Sequence, residues 1–234
     1  MDIIKRIRCE LLGNADEAIK ESSKRYFKEK IKVYGTKTSF GLKLAKDYYK
    51  EISDLPKKEV FVLCEELYKS GYMEEAFIAC NWANYKVDEF EAKDIEVLEY
   101  WLNKYIDNWA ECDTLCNHTV GNYLEKYPSS VKILKKWAKS ENLWLRRAAS
   151  VSLILPARKG NFLKEVFELA DVLLLDKEDL VQKGYGWMLK EASRQHQKEV
   201  FDYIMKNKKI MPRTSLRYAI EKMPKELKVI AMEK

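Results

Sequence analysis

The stretch NWAECDTLCNH, residues 108–118, holds one tryptophan, two acids, two cysteines and one of the chain's two histidines. Side chains of these types could bind a metal, form a Cys–His nucleophile, or set an aromatic face beside a carboxylate. Thr119-Val120-Gly121 reads as a turn, so residues 106–117 are expected to form one helix. On that helix Trp109 and Asp113 are four apart, one turn along a shared face. Cys112 and Cys116 are also four apart, on a neighbouring face with Leu115. A zinc site takes about four ligands, and Cys112, Cys116 and His118 find no second CxxC or HxxxH to complete one. His196 stands alone in a polar helix. The cysteines therefore read as small apolar thiols, and no metal is expected. A Cys–His nucleophile lacks an orienting partner at a recognisable spacing. Trp109 and Asp113 alone decide nothing, because most such pairs are core and solvent-facing side chains.

A second segment changes the balance. In DLVQKGYGWMLKEASRQ, Lys183, Trp187, Lys190 and Arg194 recur at spacings of four, three and four, with the tryptophan between basic side chains. Leu180, Gly184, Met188 and Glu191 fall elsewhere on the wheel. A basic–aromatic–basic stripe suits phosphates together with a flat ring or sugar. Its bland counterpart is a core tryptophan with lysine stems snorkelling around it. Arg146 and Arg147, in LWLRRAAS, put a further cation near the start of a helix pair.

The elements that must position these groups read as helices throughout. Eight glycines and five prolines in 234 residues argue against a turn-rich sheet fold. Apolar residues recur at helical spacing, as in Leu163, Val166, Phe167, Ala170 and Leu174, or Val62, Leu63, Leu67 and Tyr68 with Gly71 as a stop. SENLWLRRAASVSLI and KEDLVQKGYGWMLKEASRQ share a plan: an acidic turn, a leucine, a basic residue, then a helix rich in small residues. Ala148, Ala149, Ser150, Gly184 and Gly186 allow close helix approach. The fold expected is all-α, an α-α superhelix (solenoid) of HEAT-like antiparallel helix pairs with a concave basic face. With no linker or low-complexity segment, residues 1–234 read as a single domain.

Composition narrows the partners. Net charge is +6, but residues 1–50 carry 13 Lys/Arg against 7 Asp/Glu while residues 51–100 carry 5 against 13. Basic ends flanking an acidic block are compatible with a polyanion, as they are with ordinary solvated helix faces. No window is apolar enough to span a membrane. MDIIKRIRCELL lacks the apolar core of a signal peptide, and five cysteines set among apolar neighbours read as reduced thiols, so a cytoplasmic protein is expected.

Taken in order, NWAECD (108–113), LWLRRAA (143–149), QKGYGWMLKEAS (182–193) and MPRTSLRYAIEKMP (211–224), with a looser KRYFKEKIKVYGTKT (24–38), resemble one family. It is the DNA-alkylation-repair glycosylases built from HEAT-like repeats, the AlkD type. The resemblance implies that Trp109, Asp113 and Trp187 form the active-site cleft. It also implies that Arg147 and Tyr26 face DNA, with Lys183, Lys190, Arg194 and Arg213 gripping its backbone. Two departures stand out: position 110 is Ala, and the turn GTKTSFG lacks a proline.

The resemblance implies excision of N3- and N7-alkylpurines from duplex DNA, without cofactor, by a monomer that needs no protein partner. An alkylated base of this kind is cationic and leaves as a neutral molecule, so no general acid is required. A carboxylate that stabilises the oxocarbenium-like sugar and orients water, with two indole faces beside it, would be enough. The family arrangement grips the backbone and does not flip the base. The rival readings are a helical-repeat protein that binds DNA without catalysis and a scaffold for protein partners, since fold alone separates neither from an enzyme.

Overall fold

In the computed structural model, which describes residues 2–233, the chain is helical and no strand occurs among the described residues. An isolated parallel bridge joins Lys32 and Tyr72. The all-α expectation holds. The chain falls into two compact units, Met1–Leu115 and Cys116–Lys234, each packed around one central helix.

The first unit contains α1 (Ile3–Gly13), α2 (Glu17–Tyr26), α3 (Thr38–Ile52), α4 (Lys57–Lys69), α5 (Met73–Tyr85), α6 (Ile95–Lys104) and α7 (Trp109–Thr114). Helix α5, MEEAFIACNWANY, is apolar nearly all round, which suits a helix enclosed by others. Helices α3, α4 and α7 pack on it, and α1 packs on α3 and α4. The Trp82 indole N–H of α5 donates to the Ala45 carbonyl of α3 at 2.8 Å. The apolar stripe of α4 runs through Val60, Phe61, Cys64, Leu67 and Tyr68. Val62, expected within that stripe, is 67% exposed, because the helical turn carries it to the opposite side. Gly71, with φ +68°, follows the end of α4 as anticipated.

The second unit contains a π-helical segment (Leu115–Val120, its first residue belonging to the first unit), α8 (Gly121–Lys126), α9 (Ile133–Trp137), α10 (Leu143–Val151), α11 (Ile154–Arg158), α12 (Leu163–Leu173), α13 (Asp179–Ala192), α14 (Gln197–Asn207), α15 (Arg213–Ala219) and α16 (Lys225–Met232). Helix α13 is central, with α10, α11, α12 and α15 around it. Its glycines permit that packing: a Cβ on Gly184 would lie 2.8 Å from Ser150 Oγ, and one on Gly186 2.8 Å from the Ser215 carbonyl oxygen. The segments that share a sequence plan, α10 and α13, are therefore packed neighbours.

Two local expectations are corrected. The turn assigned to residues 119–121 is absent: Thr119 and Val120 are buried in the π-helical segment and α8 follows directly. Gly121 serves close packing instead, since its Cβ would meet the Ser152 carbonyl oxygen at 3.2 Å. Of the cysteines, Cys64, Cys80, Cys112 and Cys116 are buried, whereas Cys9 is exposed on α1. No helix among the described residues is long and apolar enough to cross a membrane.

Candidate functional site

In the first unit the candidate residues gather at the start of α7. Asn108 caps the helix, its side-chain oxygen accepting the Glu111 amide at 3.0 Å. The helix therefore begins at Trp109 rather than at residue 106, and Asp113 follows one turn later; both are half-buried. Ala110 packs on the cluster of Ile31, Val33 and Met73, so the alanine that departs from the family pattern lies at a packed position of α7.

Two rings from the end of α2 meet Trp109. Phe27 stacks on the indole with centroids 5.1 Å apart and planes 16° apart, and Tyr26 lies 5.9 Å away, tilted by 58°. Tyr26 is 74% exposed. The loop that follows is tied down by two buried acids of α5. The Glu74 carboxylate accepts the amides of Tyr34 (3.0 Å), Gly35 (2.9 Å) and Thr36 (3.2 Å). Glu75 accepts the Tyr34 hydroxyl at 2.7 Å and the Arg8 guanidinium at 3.0 Å. A largely apolar groove of about 630 Å³ runs beside these rings, lined in part by Ile19, Tyr26, Phe27, Phe77 and Trp109.

The other acid of α7 has a different character. Glu111 is buried, and desolvation pushes its carboxyl up to about 8 against the lowering effect of the Asn108 side chain and the Asp107 backbone. It sits in the first turn of α7, with its amide bonded to the Asn108 cap.

In the second unit Trp187 is half-buried on α13, and the Lys190 ammonium lies 5.8 Å from its ring centroid and 5.8 Å from that of Tyr218 on α15. Lys190 also pairs with Glu221 at 3.0 Å, which lowers the Glu221 carboxyl. Lys183 pairs with Asp179 at 2.7 Å and is raised chiefly by that hydrogen bond. Arg194 departs from the expected stripe. Helix α13 ends at Ala192, so Arg194 sits in the following turn and reaches back to Glu191 at 2.5 Å. Burial pushes the Glu191 carboxyl up, but Arg158 and Arg194 together bring it below the usual range.

Arg147 is 5% exposed and donates to the Leu180 carbonyl oxygen, close against Gly184. Its neighbour Arg146 is committed to Asp176 at 2.7 Å and to the Ser140 and Glu141 carbonyls. Arg213, the first residue of α15, is exposed. The structure thus joins Tyr26 to Trp109 in one unit and Lys190 to Trp187 in the other. His196 precedes α14, with a ring nitrogen 3.0 Å from the Gly160 carbonyl oxygen, and is not within a helix. No group of three His, Cys, Asp or Glu suited to a metal occurs among the described residues.

Sequence reasoning missed Phe27, Tyr218 and the loop-holding pair Glu74 and Glu75. Adjacent acids at the head of an otherwise apolar helix were a usable signal for the last two. Phe27 and Tyr218 offered none, because their partners are distant in sequence.

Trp109 and Asp113 thus stand on α7, and Lys183, Trp187 and Lys190 on α13, in an all-helical protein. The model of the DNA alkylation repair enzyme family matches residues 7–223, and the chain belongs to that family. The fold is similar to that of a "Predicted DNA alkylation repair enzyme from Enterococcus faecalis", with a TM-score of 0.81 and 17% identity over 91% of this chain and 98% of that one. No curated protein matches the sequence.

Proposed function

We propose that this protein is a DNA glycosylase that excises cationic N3- and N7-alkylated purines from duplex DNA, acting as a monomer without a cofactor. The observation that carries the reading is the pairing of a half-buried indole and a half-buried carboxylate, Trp109 and Asp113, one turn apart in a chain matched to the repair family over residues 7–223. Trp187 serves as the second aromatic face.

The chemistry asks little of the protein beyond charge. The alkylated base already carries its positive charge and departs neutral, so the site needs no proton donor. As the glycosidic bond breaks, positive charge moves onto the sugar, where the Asp113 carboxylate stabilises it and orients the attacking water. Indole faces attract the cationic and polarised C–H groups, worth roughly 0.5–2 kcal/mol each. An oriented charge worth ~3–4 kcal/mol gives a factor of about 10² to 10³ in rate, sufficient for a labile lesion and not for an undamaged base.

Exposed Arg213 contacts phosphates directly in this reading, and Tyr26 flanks the backbone. Lys183, Lys190 and Arg194 exchange their carboxylate partners for phosphate oxygens, and buried Arg147 acts by setting the start of α13. The backbone is gripped and the base is not flipped. The test is release of 3-methyladenine and 7-methylguanine from methylated duplex beside binding to unmethylated duplex. Excision is expected. A folded protein that binds duplex and releases nothing would be a non-catalytic DNA binder, and one that binds no duplex would be a protein scaffold.

A further inference from the structure

We propose that Phe27 is a positioning residue: it closes one face of the Trp109 indole and thereby presents the other to the lesion nucleotide. The inference rests on the reading of Trp109 as a lesion-contacting side chain. An indole has two faces, and a half-buried tryptophan at a helix start has rotamers to lose when a substrate settles on it. The Phe27 ring, stacked at 5.1 Å and 16°, occupies one face and restricts those rotamers beforehand.

Phe27 is itself held. It is the residue at which α2 gives way to extended backbone (φ −99°, ψ 143°), and it packs on the buried cluster of Ile31, Val33 and Met73. The loop carrying on from it is fastened by the three amides donated to Glu74. Tyr26, beside it, is 74% exposed and meets the indole only at a tilt, so it does not supply the same constraint. Trp109 lines the groove and is half-buried, which leaves part of its ring accessible.

If Phe27 only filled space, leucine would replace it without consequence for the reaction. The experiment compares Phe27→Leu and Phe27→Tyr with wild type in three measurements. These are acrylamide quenching of the Trp109 fluorescence component, obtained by difference against Trp109→Phe, single-turnover excision, and affinity for undamaged duplex. Phe27→Leu is expected to raise the quenching constant of Trp109 about two-fold, because the second face opens. It is also expected to slow excision by about 2- to 10-fold, the rate equivalent of one lost aromatic pair, with affinity unchanged. Phe27→Tyr, which can stack as before, is expected to restore both.

Quenching of Phe27→Leu equal to wild type would overturn the proposal. So would increased quenching with an unchanged excision rate, or equal slowing by leucine and tyrosine. Should wild type excise nothing, the glycosylase reading fails and the lesion-facing role of Phe27 falls with it, while the quenching comparison still reports whether Phe27 covers Trp109. If Phe27→Leu unfolds the protein, Phe27→Met replaces it, since methionine fills a similar volume without a ring.

Discussion

A carboxylate one turn from an indole is common on helix surfaces, and what would set Asp113 apart is the leaving group it serves. Because an alkylated purine leaves as a neutral base, a site with an aspartate, aromatic faces and no proton donor suffices. Truncating one face should therefore affect the rate more than the grip. Trp187→Ala is expected to slow excision by about 2- to 30-fold, the range for a lost ring–cation contact, with little change in affinity for undamaged duplex in a titration. Joint loss of binding and folding would mark Trp187 as core. At this scale the sequence was informative where spacing along one helix carried the signal, as for Trp109 with Asp113 and Trp187 with Lys190. It was silent where a partner came from another element, as with Phe27 on Trp109, Tyr218 near Lys190 and Glu221 on Lys190.

Among the elements, α13 shows how small residues set helix spacing. Gly186→Ala would drive a methyl to 2.8 Å from a backbone oxygen of α15, whereas Gly184→Ala would come 2.8 Å from the buried Ser150 hydroxyl, which donates to the Arg147 carbonyl. Overpacking costs about 1–3 kcal/mol, and alanine returns about 1 kcal/mol of helix propensity. Gly186→Ala is thus expected to lower Tm by several degrees, and Gly184→Ala to lower it by less, since a hydroxyl can yield further than a backbone oxygen. Thermal unfolding of the two variants checks this.

Helix α7 carries a pH signature. Burial raises the Glu111 carboxyl to about 8 in the folded chain, above its unfolded value, so the folded state holds a proton that the unfolded state releases. Its contribution is fully present below the unfolded pKa and is lost as pH rises toward 8, an effect on the order of a few kcal/mol. Glu111→Gln should flatten the fall in stability between about pH 5 and 8. Denaturation midpoints that track wild type across that window would contradict it. Neither the cap at Asn108 nor the burial of Glu111 was read from the sequence, which placed the helix start at residue 106. The turn expected at residues 119–121 was misread because glycine signals close packing as readily as a chain reversal, and only the neighbouring Ser152 carbonyl tells the two apart.

For the whole molecule, helical periodicity and scarce glycine and proline made the all-α class readable. The division at Leu115 was not read, although net charge changes across it, from 19 Lys/Arg against 23 Asp/Glu in residues 1–115 to 24 against 14 in residues 116–234. Charge was half legible: the sequence counted the cations but could not show that Lys183, Lys190 and Arg194 each face an acid. Binding to duplex should weaken with salt in proportion to the phosphates contacted. Arg213→Ala, removing an exposed cation, is expected to reduce the slope of log K against log salt by about 1. Arg146→Ala, whose guanidinium is committed to Asp176, should leave the slope alone and lower stability instead. Equal slopes for wild type and Arg213→Ala would remove Arg213 from the interface.

The most direct test of the central claim is release of 7-methylguanine from methylated duplex by wild type and by Asp113→Asn, measured under single-turnover conditions with folding verified. Wild type is expected to excise the base, and the variant, similar in shape but uncharged, to be slower by about 10² to 10³ with duplex affinity retained. Equal rates in the two proteins would contradict the assignment of Asp113, and no release by a folded, DNA-binding wild type would contradict the glycosylase itself.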